Sequence, residues 1–123
     1  MIRLDRAAFE EVVRRALDEL PEEFAERLEN VSIVVEEEPD PEDLIAMGLH
    51  PQRDRDELFG LYQGTPLIDR DSGYSDLPDR VVIYRGPILR SCDSRREVLD
   101  EIRDTVIHEL GHHFGLSDEE MPY

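Results

Sequence analysis

Apolar positions fall first at helical spacing. Phe9, Val12, Val13, Ala16, Leu17 and Leu20 recur three and four residues apart, which lines one face of a helix, so residues 5–20 are expected to be helical. Asp5 is suited to cap that helix, and Leu4 and Phe9 occupy the two positions of a hydrophobic staple. Pro21 restarts a short helix, with Glu22 and Glu23 in its positive first turn and Phe24 and Leu28 on one face. The pattern then changes. Val31-Ser-Ile-Val-Val-Glu36 is β-branched and predicts a strand. Asp40-Pro41 opens another short helix, and Gly48 suits its end. The polar stretch 50–57 predicts a surface loop. Leu58-Phe-Gly-Leu-Tyr62 predicts a second strand, stopped by Gly64 and Pro66. Residues 67–79 predict an irregular connection. Val81-Val-Ile-Tyr84 predicts a third strand, closed by Gly86-Pro87.

The last helix is the best defined. Ser94-Arg-Arg-Glu97 has the spacing of a capping box, in which serine and glutamate satisfy free amide groups at the helix start. Val98, Leu99, Ile102, Val106 and Leu110 follow as one apolar stripe, and Gly115 sits where a terminating glycine belongs. The expected fold is α+β: a small mixed sheet packed on helices, with one long C-terminal helix. At 123 residues the chain has the length of one domain, spanning 1–123.

Charge narrows the class. There are 31 acidic residues against 14 basic ones, a formal net charge of -17. That opposes nucleic-acid binding, which needs a basic footprint, and docking on an anionic membrane. The acids are spread along the chain, so no run reads as a disordered tail. Every basic residue is arginine; we have no physical account of this. The single cysteine, Cys92, cannot form an internal disulfide, which fits a reducing compartment. No apolar run approaches the roughly 20 residues of a membrane span. Residues 1–20 lack the apolar core of a signal peptide, so a cytoplasmic location is expected.

The C-terminal helix also carries His108-Glu109-Leu110-Gly111-His112. Residues i and i+4 lie one turn apart on nearly the same face, so the two imidazoles can bind one metal ion. The core stripe points the other way and leaves the histidines on the floor of a cleft. Glu109 can then reach a metal-bound water as general base. Catalytic zinc takes three protein ligands and keeps one position for water. A third ligand is available: Gly115 can turn the chain back, which places Asp118 to approach the metal. A chance His-Glu-x-x-His in a chain of this composition arises about 2% of the time, and the fixed glycine and aspartate lower that to roughly one in ten thousand.

These residues resemble the zincin metallopeptidases, and within them the metzincin pattern His-Glu-x-x-His-x-x-Gly-x-x-His/Asp. The closer resemblance is to the small bacterial zincin-like metallopeptidase family, the minimal zincins. It rests on Leu58-Phe-Gly-Leu-Tyr-Gln-Gly64, Leu77-Pro-Asp-Arg-Val-Val-Ile-Tyr84 and His108-Glu-Leu-Gly-His-His-Phe-Gly-Leu-Ser-Asp118; only the last is chemically specific. The resemblance implies a zincin-like α+β fold, Zn²⁺ on His108, His112 and Asp118, Glu109 as general base, and a peptide or protein substrate. Two departures stand out. Met121 is the sole candidate for the methionine turn of metzincins, three residues past Asp118. The chain also has no recognisable subdomain to wall off a substrate cleft. That shortage motivates a second reading, a metal-containing peptide-binding or regulatory module without efficient turnover. A ribonuclease role fits poorly with the acidity.

Other residues are read as structural. His113 points about 100° from His112 and is not expected to bind the metal. His50 reads as a loop residue, Tyr62 and Tyr84 as packing residues with oxyanion stabilisation as the alternative, and Cys92 as inert. Asp104, one turn before His108, is a candidate to orient that imidazole, or else a solvated acid. Residues 58–62 are a candidate edge strand for peptide addition, or equally an interior strand with no such role.

Overall fold

The computed structural model describes residues 1–64 and 79–115. Helix α1 runs Arg6–Asp18, with the Asp5 carboxylate accepting from the Ala8 amide as its cap. Helix α2, Glu22–Arg27, follows Pro21, and a single 3₁₀ turn, Leu28–Asn30, leads into strand β1, Val31–Glu36. Helix α3 is Pro41–Ala46 and strand β2 is Gly60–Gln63. Strand β3, Asp79–Tyr84, passes directly into helix α4, Arg85–Ser91, and the long helix α5 is Arg95–His113. The α+β architecture expected from the sequence is thus the one observed.

The sheet has order β1-β3-β2. Strand β1 runs parallel to β3, with Val34 opposite Val82, and β2 runs antiparallel to it, with Leu61 opposite Val82. Strand β3 is central, and Val81, Val82, Ile83 and Tyr84 are all fully buried. Alternation sends these side chains to two faces. Val81 and Ile83 join Phe9, Val13, Ile88, Val98, Ile102 and Val106 in the main core. Val82 and Tyr84 join Leu44 and Leu58 in a smaller core under α3, with Leu49 and Leu61 packed against it. The sheet therefore lies between α1 and α5 on one side and α3 on the other.

Strand β3 ends at Tyr84 as expected, but a helix not anticipated from the sequence follows at once, with Gly86-Pro87 in its first turn. Proline is tolerated there because first-turn amides have no partner within the helix. Glycine is required for another reason: a Cβ at residue 86 would lie 1.9 Å from Glu38 Oε2 and 2.8 Å from the Glu37 carbonyl oxygen. The same connection is held by ion pairs. Arg85 reaches Glu37 at 2.6 Å, and Arg90 reaches Glu38 and Asp56, each at 2.6 Å. These pairs place some of the arginines, although exposed pairs contribute little stability each.

The α5 boundaries agree with the capping motif. Ser94 Oγ accepts from the Glu97 amide at 3.1 Å, while the Glu97 carboxylate reaches back to the Asp93 amide at 2.8 Å, one residue before the cap. At the other end Gly115 has φ +84, and its amide donates to the His112 carbonyl. Gly48, after α3, has φ +77.

Strand β2 approaches α5 at Gly60. A Cβ there would meet the Thr105 Cγ2 methyl at 2.5 Å and the Val82 carbonyl oxygen at 2.9 Å. The backbone oxygen cannot yield, so Gly60→Ala is expected to lower stability by about 1–3 kcal/mol, as overpacked cores do. Urea denaturation measures it; a change below about 0.5 kcal/mol would show that the strand can move away at little cost.

Candidate functional site

Helix α5 presents its two chemistries on different sides. Val98, Ile102, Val106, Ile107 and Leu110 are buried toward the sheet and α1. His108 and His112 lie one turn apart on another side, with ring centroids 6.2 Å apart and planes tilted by 38°. His108 is half-buried and His112 exposed.

Glu109 faces strand β2. Its Oε1 accepts a hydrogen bond from the Tyr62 backbone amide at 2.9 Å. Burial raises its carboxyl above the ordinary carboxylate value, against the Tyr62 amide and the neighbouring charges of His112 and His108, which pull it down. A carboxylate has two oxygens, so one bond to the strand fixes its direction without using up its capacity to accept.

A second cluster holds this arrangement together. The Tyr62 hydroxyl donates to Asp79 Oδ2 at 2.7 Å. His113 stacks on the Tyr62 ring, centroids 3.8 Å apart and 15° from parallel, and its Nε2 lies 4.0 Å from the same Asp79 oxygen. His113 is therefore turned to β2. Phe114 meets His113 edge-on at 5.2 Å, and the Arg27 guanidinium sits 4.4 Å above the Phe114 ring, a cation–π contact. The last turn of α5 is thereby tied to both β2 and α2.

Met47, Leu61, Tyr62, Gly64, Glu109, His112 and His113 line a cleft of about 430 Å³. Met47, at the end of α3, contributes to the lining on a side not evident in the sequence. Another cavity of about 460 Å³ lies between residues 1–5 and α4, away from this chemistry; its Arg85 and Arg90 are already paired with Glu37 and Glu38.

Asp104 does not orient an imidazole: it accepts from Arg103 Nε at 3.2 Å and Nη2 at 3.1 Å. Glu101, seven residues before His108, is half-buried, and its carboxyl is raised by burial and by the charge of Asp104 against the opposing pull of His108. Tyr84 is fully buried, with its hydroxyl near Asp43 Oδ2 at 3.3 Å, so it belongs to the core under α3. Cys92 is buried and its thiol is pushed up to about 11 by burial and by the charges of Glu101, Glu97 and Asp93. His50 organises a turn, its Nδ1 accepting from the amides of Gln52 and Arg53. Asp118 and Met121 lie outside the described residues.

A metal needs donors, and the donor set here suits zinc: two imidazoles at helical i, i+4 spacing, beside a carboxylate. Among the described residues no group of three such side chains converges; the expected third donor, Asp118, lies outside them.

The pattern of the zincin-like metallopeptidase family matches residues 28–123. The chain belongs to that family. Among solved structures it is similar to a conserved hypothetical protein from Thermo thermophilus, with 30% identity and a TM-score of 0.57, over 88% of this chain and 92% of that one. No curated protein matches. Among the described residues, no helix is long and apolar enough to cross a membrane.

The stack between Tyr62 and His113 gives a direct test of the cluster. In a double-mutant cycle of Tyr62→Leu and His113→Ala, the coupling read from urea unfolding is expected to be about 0.5–1.5 kcal/mol. Additive effects would show that the contact contributes nothing.

Proposed function

We propose that this protein is a zinc-dependent peptidase acting on peptide or protein substrates, with His108, His112 and Asp118 as ligands and Glu109 as general base. The observation that carries this reading is the placement of Glu109. It is half-buried between two helix-spaced histidines, with one oxygen fixed on the amide of an edge strand. Family membership supports the metal and the reaction class.

When bound, zinc supplies Lewis-acid polarisation of the scissile carbonyl and acidifies a water. The protein's own residues do the rest. The Tyr62 amide aims Glu109; Glu109 takes a proton from the attacking water and delivers it to the leaving amine. Partial burial suits this exchange, because it raises the carboxyl toward the working pH. Strand β2, an outer strand of the sheet among the described residues, lies beside the base. The charge of -17 favours basic or neutral peptides over acidic ones and opposes nucleic acid. A single, buried cysteine is consistent with work in the cytoplasm.

Elemental analysis of the purified protein is expected to give about one zinc per chain. His108→Ala and Asp118→Ala should each lose most of it; full retention in both would remove the proposed ligand set. Glu109→Gln should keep the metal while cleavage of a peptide library falls by about 10²–10⁴, the usual contribution of a general base. Equal cleavage by wild type and Glu109→Gln would overturn the role of the base. Stoichiometric metal and peptide binding with no turnover in either protein would instead identify a binding module.

A further inference from the structure

We propose that the outer edge of β1, with the adjoining side of α1, is an interface between two copies of this chain, related by a twofold axis through Ile33. The inference is independent of the peptidase reading.

Strand β1 is the outer strand on the side of the sheet away from β2, and among the described residues no strand pairs with its far edge. The ladders decide which of its groups face that edge. The Tyr84 amide donates to the Phe59 carbonyl at 2.9 Å, so Tyr84 and Val82 turn their backbone groups to β2, and Val81 and Ile83 turn theirs to β1. In a parallel ladder a residue bonds to the neighbours on either side of its register partner. The partners of Val81 and Ile83 are Ile33 and Val35, so Ser32, Val34 and Glu36 carry the ladder. Val31, Ile33 and Val35 turn outward. In keeping with this, the Val35 carbonyl accepts from Arg6 rather than from β3.

Two of the outward groups are therefore in use: the Val35 carbonyl is held by Arg6, and the Val31 amide donates to the Leu28 carbonyl. The Ile33 amide and carbonyl lie between them. A twofold axis at Ile33 pairs the strand antiparallel with its copy. Ile33 then faces Ile33 and exchanges both backbone bonds with it, while Val31 faces Val35. The two occupied groups fall opposite each other, so neither is needed as a partner. The edge is complementary to itself, which selects a second copy over an unrelated strand.

The side chains fit the same arrangement. Val31, Ile33 and Val35 are only partly buried, and the strand has no proline and no charge before Glu36, the usual guards of an exposed edge. Val13, Leu17, Ile33 and Val35 line a hollow of about 230 Å³, with Glu10 and Arg14 beside them. The axis sets the two α1 helices antiparallel, so these opposite charges, one turn apart, can meet their counterparts on the second copy. The net charge of -17 on each copy opposes association, and salt screens it.

Sedimentation at moderate ionic strength, over a range of protein concentrations, is expected to show a monomer–dimer equilibrium. Leu17→Arg, and Ile33→Pro, which removes an outward amide and no ladder bond, should each raise the dissociation constant by about tenfold or more, the worth of one to two hydrogen bonds. Ile33→Cys should cross-link to itself under mild oxidation, because facing residues of a bonded pair lie about 5.5 Å apart between Cα atoms, within disulfide reach. Wild type, whose Cys92 is buried, should not. A chain that stays monomeric at every concentration overturns the proposal. A dimer unaffected by both substitutions, or one in which Ile33→Cys fails to cross-link, forms through another surface and overturns it too.

Discussion

Strand β2 can lie against α5 only because residue 60 has no side chain. A single methyl group there would overlap the Thr105 methyl and press on the Val82 carbonyl oxygen. The contact sets the separation between the sheet edge and the helix, and other features of the cleft are consequences of that separation. The Tyr62 amide falls within hydrogen-bond reach of Glu109, the Tyr62 ring falls flat on His113, and its hydroxyl meets Asp79. A larger gap would leave the Glu109 carboxylate partly buried without a donor, which costs more than the hydrogen bond itself contributes.

Helix α5 serves two environments at once. One side completes the main core with α1 and β3, and the other carries the histidines and Glu109. This economy explains how so short a chain builds a cleft. Strand β3, buried on both faces, lets α3 stack on the side of the sheet away from α5 and bring Met47 round to the same opening. Among the described residues, that side of the cleft is built by a helix end.

Most elements were legible in the sequence because their signals are local. The apolar spacing of Phe9 to Leu20, the Ser94–Glu97 cap and the β-branched run from Val31 each depend on neighbours within one or two turns. The His108–His112 pair was legible for the same reason, since helical spacing alone places both rings on one side. What was missed depends on contacts distant in sequence. Tyr62, Asp79 and His113 come from three elements, and no spacing announces that they meet. Met47 carries no pattern that marks it as a cleft wall. Asp104 sat at the right offset to serve His108, but adjacent Arg103 competes for it and wins. At Gly86-Pro87 the local signal was ambiguous, because the same dipeptide suits a turn or the first turn of a helix, and packing against Glu37 and Glu38 decided.

The two ends of α5 are secured differently. The first turn is closed by side chains local to it, Ser94 and Glu97, over a buried stripe that begins at Val98. The last turn, from Gly111 to Gly115, relies on side chains reaching across to other elements: His113 to Tyr62 and Asp79, and Phe114 to Arg27. Such a segment can fray as its own unit without disturbing the core. His112 belongs to that unit, whereas His108 sits one turn deeper, between the buried residues Ile107 and Leu110. Amide hydrogen exchange would therefore divide the helix, and protection of the last few amides would report the integrity of the cleft separately from the stability of the fold.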